Sequence, residues 1–250
     1  MRRADLSDAN LRCADLPGAS LHSADLTDAN LHSADLIGAN LTGANLTGAI
    51  LIGANLHSAN LHSAHLHSAD LTGADLTGAD LRRADLSAAT VTGATVVSAN
   101  LRSASLRYAD LRYADLRSAD LPGASLRYAS LRSADLTDAD LTDADLADAN
   151  LADANLAGAN LVDVTVNRTV FPEGWTIRQS GPHGPRGRLL TMWSDPGGVV
   201  QWRQACWRHT GDNLDAVAAD LDKCRGVDWT DVMIADWLTQ AANDLERITR

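Results

Sequence analysis

Residues 4–23 read A-D-L-S-D, A-N-L-R-C, A-D-L-P-G and A-S-L-H-S, and this five-residue frame continues without insertion or deletion to Val166. Ala begins each block, and Leu follows two positions later. Among the 33 Leu positions of the run, only Val91, Val96 and Val166 depart from Leu, and the Ala position fails once, at Val164. A period of five matches neither the helical period of 3.6 nor the strand period of 2.

The block itself predicts a coil. Ala and Leu are two residues apart, so in extended geometry both point to the same side. The two residues after Leu are mostly Gly, Ser, Asp, Thr, Arg or His, which can turn a corner. Short extended pieces that alternate with turns form a solenoid, whose units bury their apolar side only by stacking on neighbours.

These tandem A-[D/N]-L-x-x blocks, which cover about two thirds of the chain, resemble the pentapeptide-repeat family. The resemblance implies a mainly β fold, a right-handed quadrilateral β-helix with four pentapeptides per coil. Leu and Ala would fill the interior, and the other three residues of each block would face water. The repeats then make about eight coils and a rod roughly 40 Å long, at about 4.8 Å per coil. Residues 20 apart would stack on one face.

The charge of the chain is concentrated in the repeat. The formal net charge is −11, and residues 1–166 carry 11 Arg against 21 Asp. An acidic surface disfavours direct binding to nucleic acid or anionic lipid and favours basic protein partners. Solubility alone is the alternative explanation for such a surface.

Other features restrict the class of protein. No apolar run is long enough to cross a bilayer. The first residues enter the repeat at once, which leaves no room for a signal peptide. Cys13, Cys206 and Cys224 are too few and too scattered for a disulfide framework or a zinc site. We therefore expect a soluble cytoplasmic protein without a membrane partner.

We also expect no enzymatic activity and no cofactor, because the sequence has no phosphate-binding loop, zinc-protease motif or nucleophile elbow. Histidines in the first coils resemble a metal cluster at first sight, but successive blocks point in different directions. Only His65 and His67, which flank Leu66, would lie close together, so solvated histidines are the favoured interpretation. The six histidines are His22, His32, His57, His62, His65 and His67.

Outward Arg and Tyr side chains mark the middle of the rod, and we call them the Arg/Tyr belt. Both residue types are enriched in protein interfaces, and together they can also bind nucleic acid by phosphate contact and stacking. Asp residues line the same coils, which favours a protein contact or solvated ion pairs. The belt comprises Arg82, Arg83, Arg102, Arg107, Tyr108, Arg112, Tyr113, Arg117, Arg127, Tyr128 and Arg132.

The densest negative stretch follows the belt, and we call it the acidic coil. No Lys or Arg interrupts it, so it is a candidate contact surface that could imitate a phosphate backbone, together with the Asp residues at 5, 15, 25 and 35. The acidic coil comprises Asp135, Asp138, Asp140, Asp143, Asp145, Asp148 and Asp153.

Beyond the repeat (residues 1–166) we predict two further segments. Residues 167–194 would contain an aromatic cap, Phe171 and Trp175, followed by a Pro/Gly-rich linker at about 179–191. Residues 195–250 would form a Trp-rich tail of three helices, at about 195–209, 213–224 and 229–248. Since no cap is visible at the N-terminal end, its strand edge or the C-terminal helices could mediate homodimer formation.

Taken together, the sequence predicts a non-enzymatic interaction rod. The family resemblance implies one specific form, an acidic mimic of duplex DNA that binds DNA gyrase or a related topoisomerase and protects it from poisons such as quinolones. One alternative is a structural spacer whose C-terminal helical module docks or oligomerises. Another is a nucleic-acid binder that uses the part of the belt from Arg102 to Arg132.

Overall fold

The computed structural model describes residues 4–183, 188–194, 200–203 and 209–211. The chain divides into two compact units, Met1–Glu173 and Gly174–Arg250. The first unit contains the whole repeat and continues past it, so it includes Phe171.

The repeat forms a four-sided coil, as the family resemblance implied. Thirty parallel bridges join residues that are 20 positions apart, from Asp5 with Asp25 to Asn150 with Val170. Since each block has five residues, four blocks complete one turn of the coil. Outward residues 20 apart therefore stack on one face along the rod, which is the spacing on which the surface predictions depend.

A tight turn makes each corner. In the first described block, Ala9 N donates to Leu6 O at 3.1 Å, and Asp8 has φ +55°. A hydrogen-bonded turn with positive φ at its third residue is the pattern of a type II turn. Gly is not required there, since Ala88 (φ +56°) and Tyr108 (φ +61°) occupy the same position.

Backbone hydrogen bonds hold consecutive coils together. In one block, Leu26 N donates to Asn45 O at 2.7 Å and Asp28 N donates to Thr47 O at 2.9 Å, both in the next coil. Asp25 N donates in the opposite direction, to Ala4 O at 2.8 Å. The backbone is satisfied without long strands, because each face of the coil contributes only a short extended piece.

The core is a column of stacked Leu and Ala. Leu61 is 0% exposed, and nearly all inward residues from Ala24 to Val164 are equally buried. At the N-terminal end Leu6 and Leu11 are only half-buried. At the other end Leu161 stays 0% exposed.

The residues that we predicted as a cap follow the repeat in sequence and belong to different units, Phe171 to the first and Trp175 to the second. Phe171 and Trp175 are half-buried, and Pro172 between them is buried. Their capping role remains a prediction.

The second unit contains an antiparallel sheet in the order β1-β2-β3-β4. Its strands are β1 (Thr176–His183), β2 (Arg188–Ser194), β3 (Val200–Arg203) and β4 (His209–Gly211). The register pairs Ile177 with Trp193 across the first two strands.

These strands correct two predictions. The segment that we expected to be an irregular linker forms much of β1 and β2, and the helix expected at about 195–209 is replaced by β3 and the start of β4. The reason is visible in β3, where Val200 and Trp202 alternate with polar residues at the strand period of two.

The two remaining predicted helices, at about 213–224 and 229–248, lie outside the described residues. Within the ranges that the structure describes, no helix has the length and hydropathy that a membrane crossing requires.

Candidate functional site

The rod surface has three zones of charge. Residues 4–81 carry nine Asp and one Arg, residues 82–132 carry four Asp and eight Arg, and residues 133–166 carry eight Asp and no Lys or Arg. The Arg/Tyr belt is therefore a cationic middle zone between two acidic ends.

The carboxylates of the acidic coil do not share one face. Asp138, Asp143, Asp148 and Asp153 occupy the left-handed positions of successive corners, with φ between +58° and +60°. Four corners complete one coil, so these side chains point outward in four directions around the perimeter. A flat partner could touch only one or two of them, whereas a partner that surrounds the rod could reach more.

The other three acids of this coil hold their own turns. Asp135 Oδ1 accepts a hydrogen bond from Thr137 N at 3.0 Å, and Asp140 Oδ1 accepts one from Thr142 N at 3.0 Å. Asp145 is bound in the same way to the backbone of its turn, at 3.1 Å. The residue before Leu thus acts as a local acceptor for the corner, a role that the sequence analysis did not recognise although Asp or Asn recurs there.

Ion pairs further divide the acidic coil. Asp153 lies 3.2 Å from Arg132, and Asp148 lies 3.7 Å from Arg168. Asp138 and Asp143 are exposed and form no ion pair within the described part of the chain. They are the strongest candidates for charge that remains available to a partner.

Most belt arginines are paired, as expected from the Asp residues in the same coils. Arg112 binds Asp110 through Nη2 to Oδ2 at 2.6 Å, and Arg117 binds Asp115 at 2.7 Å. The Arg112 side chain, by hydrogen bonding, lowers the pKa of Asp110 below its ordinary value. That carboxyl group in turn raises the pKa of Arg112.

The tyrosines of the belt form an ordered pair. Tyr108 and Tyr128 stack with ring centroids 4.9 Å apart and an interplanar angle of 4°, which confirms the predicted neighbours at 20-residue spacing. Arg107 and Arg127 lie over these rings at 5.8 and 5.5 Å. Tyr113 stands on the next corner and is 63% exposed.

The histidines show no metal centre. Among the described residues, no group of three or more His, Cys, Asp or Glu side chains is arranged to hold a metal ion. His67 Nδ1 lies 2.9 Å from Ser87 Oγ instead. An open groove along one face is lined by Asp5, Asp25, His65 and Asp85, among others, and forms a polar strip on the rod.

The sequence model of the pentapeptide repeats matches in eight copies, and the matches cover residues 4–43, 29–67, 39–78, 64–102, 99–138 and 134–171. These matches leave no gap between 4 and 171, which is more than half of the chain. The chain belongs to the pentapeptide-repeat family. Proteins of this family form right-handed β-helix solenoids, which confirms the predicted fold of the rod.

Solved structures of other pentapeptide-repeat proteins resemble this one. HetL from the cyanobacterium Nostoc sp. strain PCC 7120, involved in heterocyst differentiation regulation, is 38% identical over 66% of this chain and 79% of its own, with a TM-score of 0.32. QnrB1, a plasmid-mediated fluoroquinolone resistance protein, is 18% identical over 56% of this chain and 83% of its own, with a TM-score of 0.44.

A third structure, from the Arabidopsis thaliana thylakoid lumen, is 31% identical over 41% of this pentapeptide-repeat protein and 68% of its own chain, with a TM-score of 0.22. All three TM-scores are below 0.5, so these likenesses carry no functional argument. Among curated proteins, none matches this chain.

Proposed function

We propose that this pentapeptide-repeat protein is a non-enzymatic interaction rod that imitates duplex DNA toward a DNA-binding protein, with DNA gyrase as the first partner to test. Solenoids present extended surfaces for macromolecular contact. A cytoplasmic location belongs to the same proposal.

One observation carries the proposal, namely that the acidic coil surrounds the rod. Duplex DNA also carries negative charge on every side, and a protein that grips a duplex contacts more than one side of it. Asp138 and Asp143 are exposed, have no ion pair among the described residues, and lie on adjacent corners of the coil. This arrangement suits a basic cleft better than a flat basic surface.

Gyrase is the first partner to test because it is the partner that the family resemblance implies. The spacer alternative depends on a helical module whose first predicted helix is replaced by strands.

The test is DNA supercoiling by gyrase, with and without the full-length protein and a quinolone. Dose-dependent inhibition, or rescue of the enzyme from the drug, supports the proposal. Absence of any effect at micromolar protein refutes gyrase as the partner.

Paired substitutions locate the contact. Asp138→Asn with Asp143→Asn removes two charges, while Asn still tolerates the left-handed backbone. Asp8→Asn with Asp28→Asn is the matched control, since these residues occupy the same turn position (φ +55° and +54°) at the other end of the rod. The first pair should weaken the effect and the second should not. Equal effects of both pairs would show that total charge, and not the acidic coil, is responsible.

A further inference from the structure

The belt arginines that directly follow a Leu, which are all of them except Arg83, have a simple pairing rule. An outward Arg binds the carboxylate two residues before it when Asp stands there, as in the Arg112–Asp110 pair at 2.6 Å. When that residue is Asn or Ser, the Arg reaches a carboxylate in the next coil instead. Arg102 lies 3.5 Å from Asp120 in this way.

The same rule covers two more arginines. Arg127 follows Ser125 by two residues and lies 3.8 Å from Asp145, which is 18 positions ahead. Arg132 has no carboxylate two residues before it or 18 residues ahead of it. It lies 3.2 Å from Asp153, which is 21 positions ahead.

Arg107 is the exception on these outward positions. Ser105 stands two residues before it, Ser125 stands 18 residues ahead, and Tyr128 stands 21 residues ahead. The three positions that supply a carboxylate to the other belt arginines are therefore occupied by neutral residues around Arg107. Arg107 is exposed and forms no ion pair within the described residues. Its guanidinium remains available for a carboxylate from outside the chain.

Apolar surface lies directly beside this free charge. Arg107 approaches the Tyr108 ring at 5.8 Å, and Tyr108 stacks on Tyr128. The preceding position of this ladder is Ala88, whose side chain is too short to cover a ring. Accordingly, Tyr108 is 57% exposed, against 42% for Tyr128. The stack fixes both rings, so a ligand that contacts them has little side-chain entropy to overcome.

We infer that Arg107, Tyr108 and Tyr128 form a docking site for a protein segment that carries a carboxylate next to an aromatic side chain. The carboxylate would form a bidentate ion pair with the guanidinium. The aromatic ring would pack against the exposed tyrosine. Arg and Tyr are also the residue types that dominate binding energy in protein interfaces.

Charge along the rod favours a short acidic segment over a nucleic acid. The belt spans 51 residues (82–132), or about 12 Å of rod at roughly 4.8 Å per coil, and both flanking zones are acidic. A single strand needs a continuous positive groove along its backbone. A segment with one carboxylate can use Arg107 without entering the acidic zones.

This site is independent of the proposed DNA mimicry. It attracts the opposite charge, lies in a different zone of the rod and does not use Asp138 or Asp143. Failure of either proposal therefore leaves the other unaffected.

The test is a proton NMR titration of the full-length protein with the capped dipeptide acetyl-Glu-Phe-amide, in which the Glu side chain is the sole carboxylate. We expect saturable shifts of the Tyr108 and Tyr128 ring signals. The matched probe acetyl-Gln-Phe-amide should bind about tenfold more weakly, because it lacks a charge worth about 1.4 kcal/mol or more.

Three variants decide whether Arg107 is responsible. Arg107→Gln removes the guanidinium, and Ser105→Asp leaves it in place but supplies the internal partner that Arg112 has. The repeat accepts Asp at this position in many blocks, so the fold should tolerate Ser105→Asp. Both variants should weaken binding about tenfold. Arg112→Gln, at an arginine that is already paired, should change it less than about twofold.

The inference is overturned if the dipeptide produces no saturable shift, or if Arg112→Gln weakens binding as much as Arg107→Gln. It is also overturned if a short oligothymidylate binds the same tyrosines more tightly than the dipeptide does. That result would make the site a nucleic-acid contact.

Discussion

The stacked core makes a quantitative prediction for one leucine. Leu61 is 0% exposed and lies in the middle of the column. Leu61→Ala removes three carbon atoms, which corresponds to about 2.4 kcal/mol of lost burial at about 0.8 kcal/mol each. The neighbouring coils are fixed by backbone hydrogen bonds on both sides, so the cavity cannot close. We therefore expect a total loss of about 3–5 kcal/mol in the free energy of unfolding.

Leu11→Ala is the matched control, because it is the same substitution at the same block position in the half-buried first coil. There the cavity would open to water, and we expect a loss of only about 1 kcal/mol. Urea unfolding should be followed by far-UV circular dichroism, because all six Trp lie at or beyond Trp175 and tryptophan fluorescence would not report on the repeat. Equal losses at both leucines, or less than about 1 kcal/mol at Leu61, would refute this account of the core.

Three further predictions follow from the turns and the ion pairs. Asn60→Ala should cost about 0.5–1.5 kcal/mol in urea unfolding because it removes the acceptor of its turn, whereas Asn60→Asp keeps that acceptor and should cost little. The Arg112 hydrogen bond lowers the pKa of Asp110, so this pair stabilises the fold above about pH 4 and loses its effect as the pH falls further. The unfolding temperature of Arg112→Gln should therefore be lower than that of the wild type at neutral pH and equal to it in acid. A difference that does not change with pH would contradict the pairing. Gly158→Ala would push a Cβ into the carboxylate of the preceding coil, while Gly93→Ala has open space and a similar φ (+68° against +63°). Both variants should lose a similar amount of stability. Only Gly158→Ala should change the effect of the protein on DNA supercoiling by gyrase, because it displaces a carboxylate of the acidic coil without changing its charge.

The sequence was sufficient to predict the rod because one local rule repeats in every block. A fixed period of five, with apolar residues at two of the five positions, predicts a solenoid, and the family resemblance supplies the four blocks per coil from which the 20-residue stacking follows. The contact between Tyr108 and Tyr128 was predictable from these two together.

Regions outside the repeat lacked such redundancy. The strand β3 has only four residues, Val200–Arg203. When apolar residues outside these four are included, the apolar positions fit the helix period almost as well as the strand period. No repetition was available to decide between the two periods, so the helical interpretation at about 195–209 was wrong. Gly181 and Pro182 were similarly interpreted as part of a linker, although they belong to β1.

The surface positions of the belt arginines were predictable from the sequence, but their ion-pair partners were not. Sequence spacing placed every Arg of the belt on the surface, yet which carboxylate each one binds depends on three possible neighbours and on side-chain reach. The free guanidinium of Arg107 emerged only when the structure showed which of those neighbours the other arginines use.

The fold also indicates how the negative charge of the rod should be interpreted. Of the 21 Asp in residues 1–166, 14 precede a Leu and seven occupy a left-handed corner. At the position before Leu, Asn accepts the same turn hydrogen bond that Asp accepts, as Asn60 does from His62 N at 3.0 Å. At the left-handed corner position, Gly and Ser occur with the same positive φ as Asp. Neither position requires a charge in order to fold, so Asp→Asn substitutions can remove charge with little effect on stability. A loss of partner binding in such variants would therefore report on the electrostatic contact itself, and retention of binding would leave solubility as the role of the acidic surface.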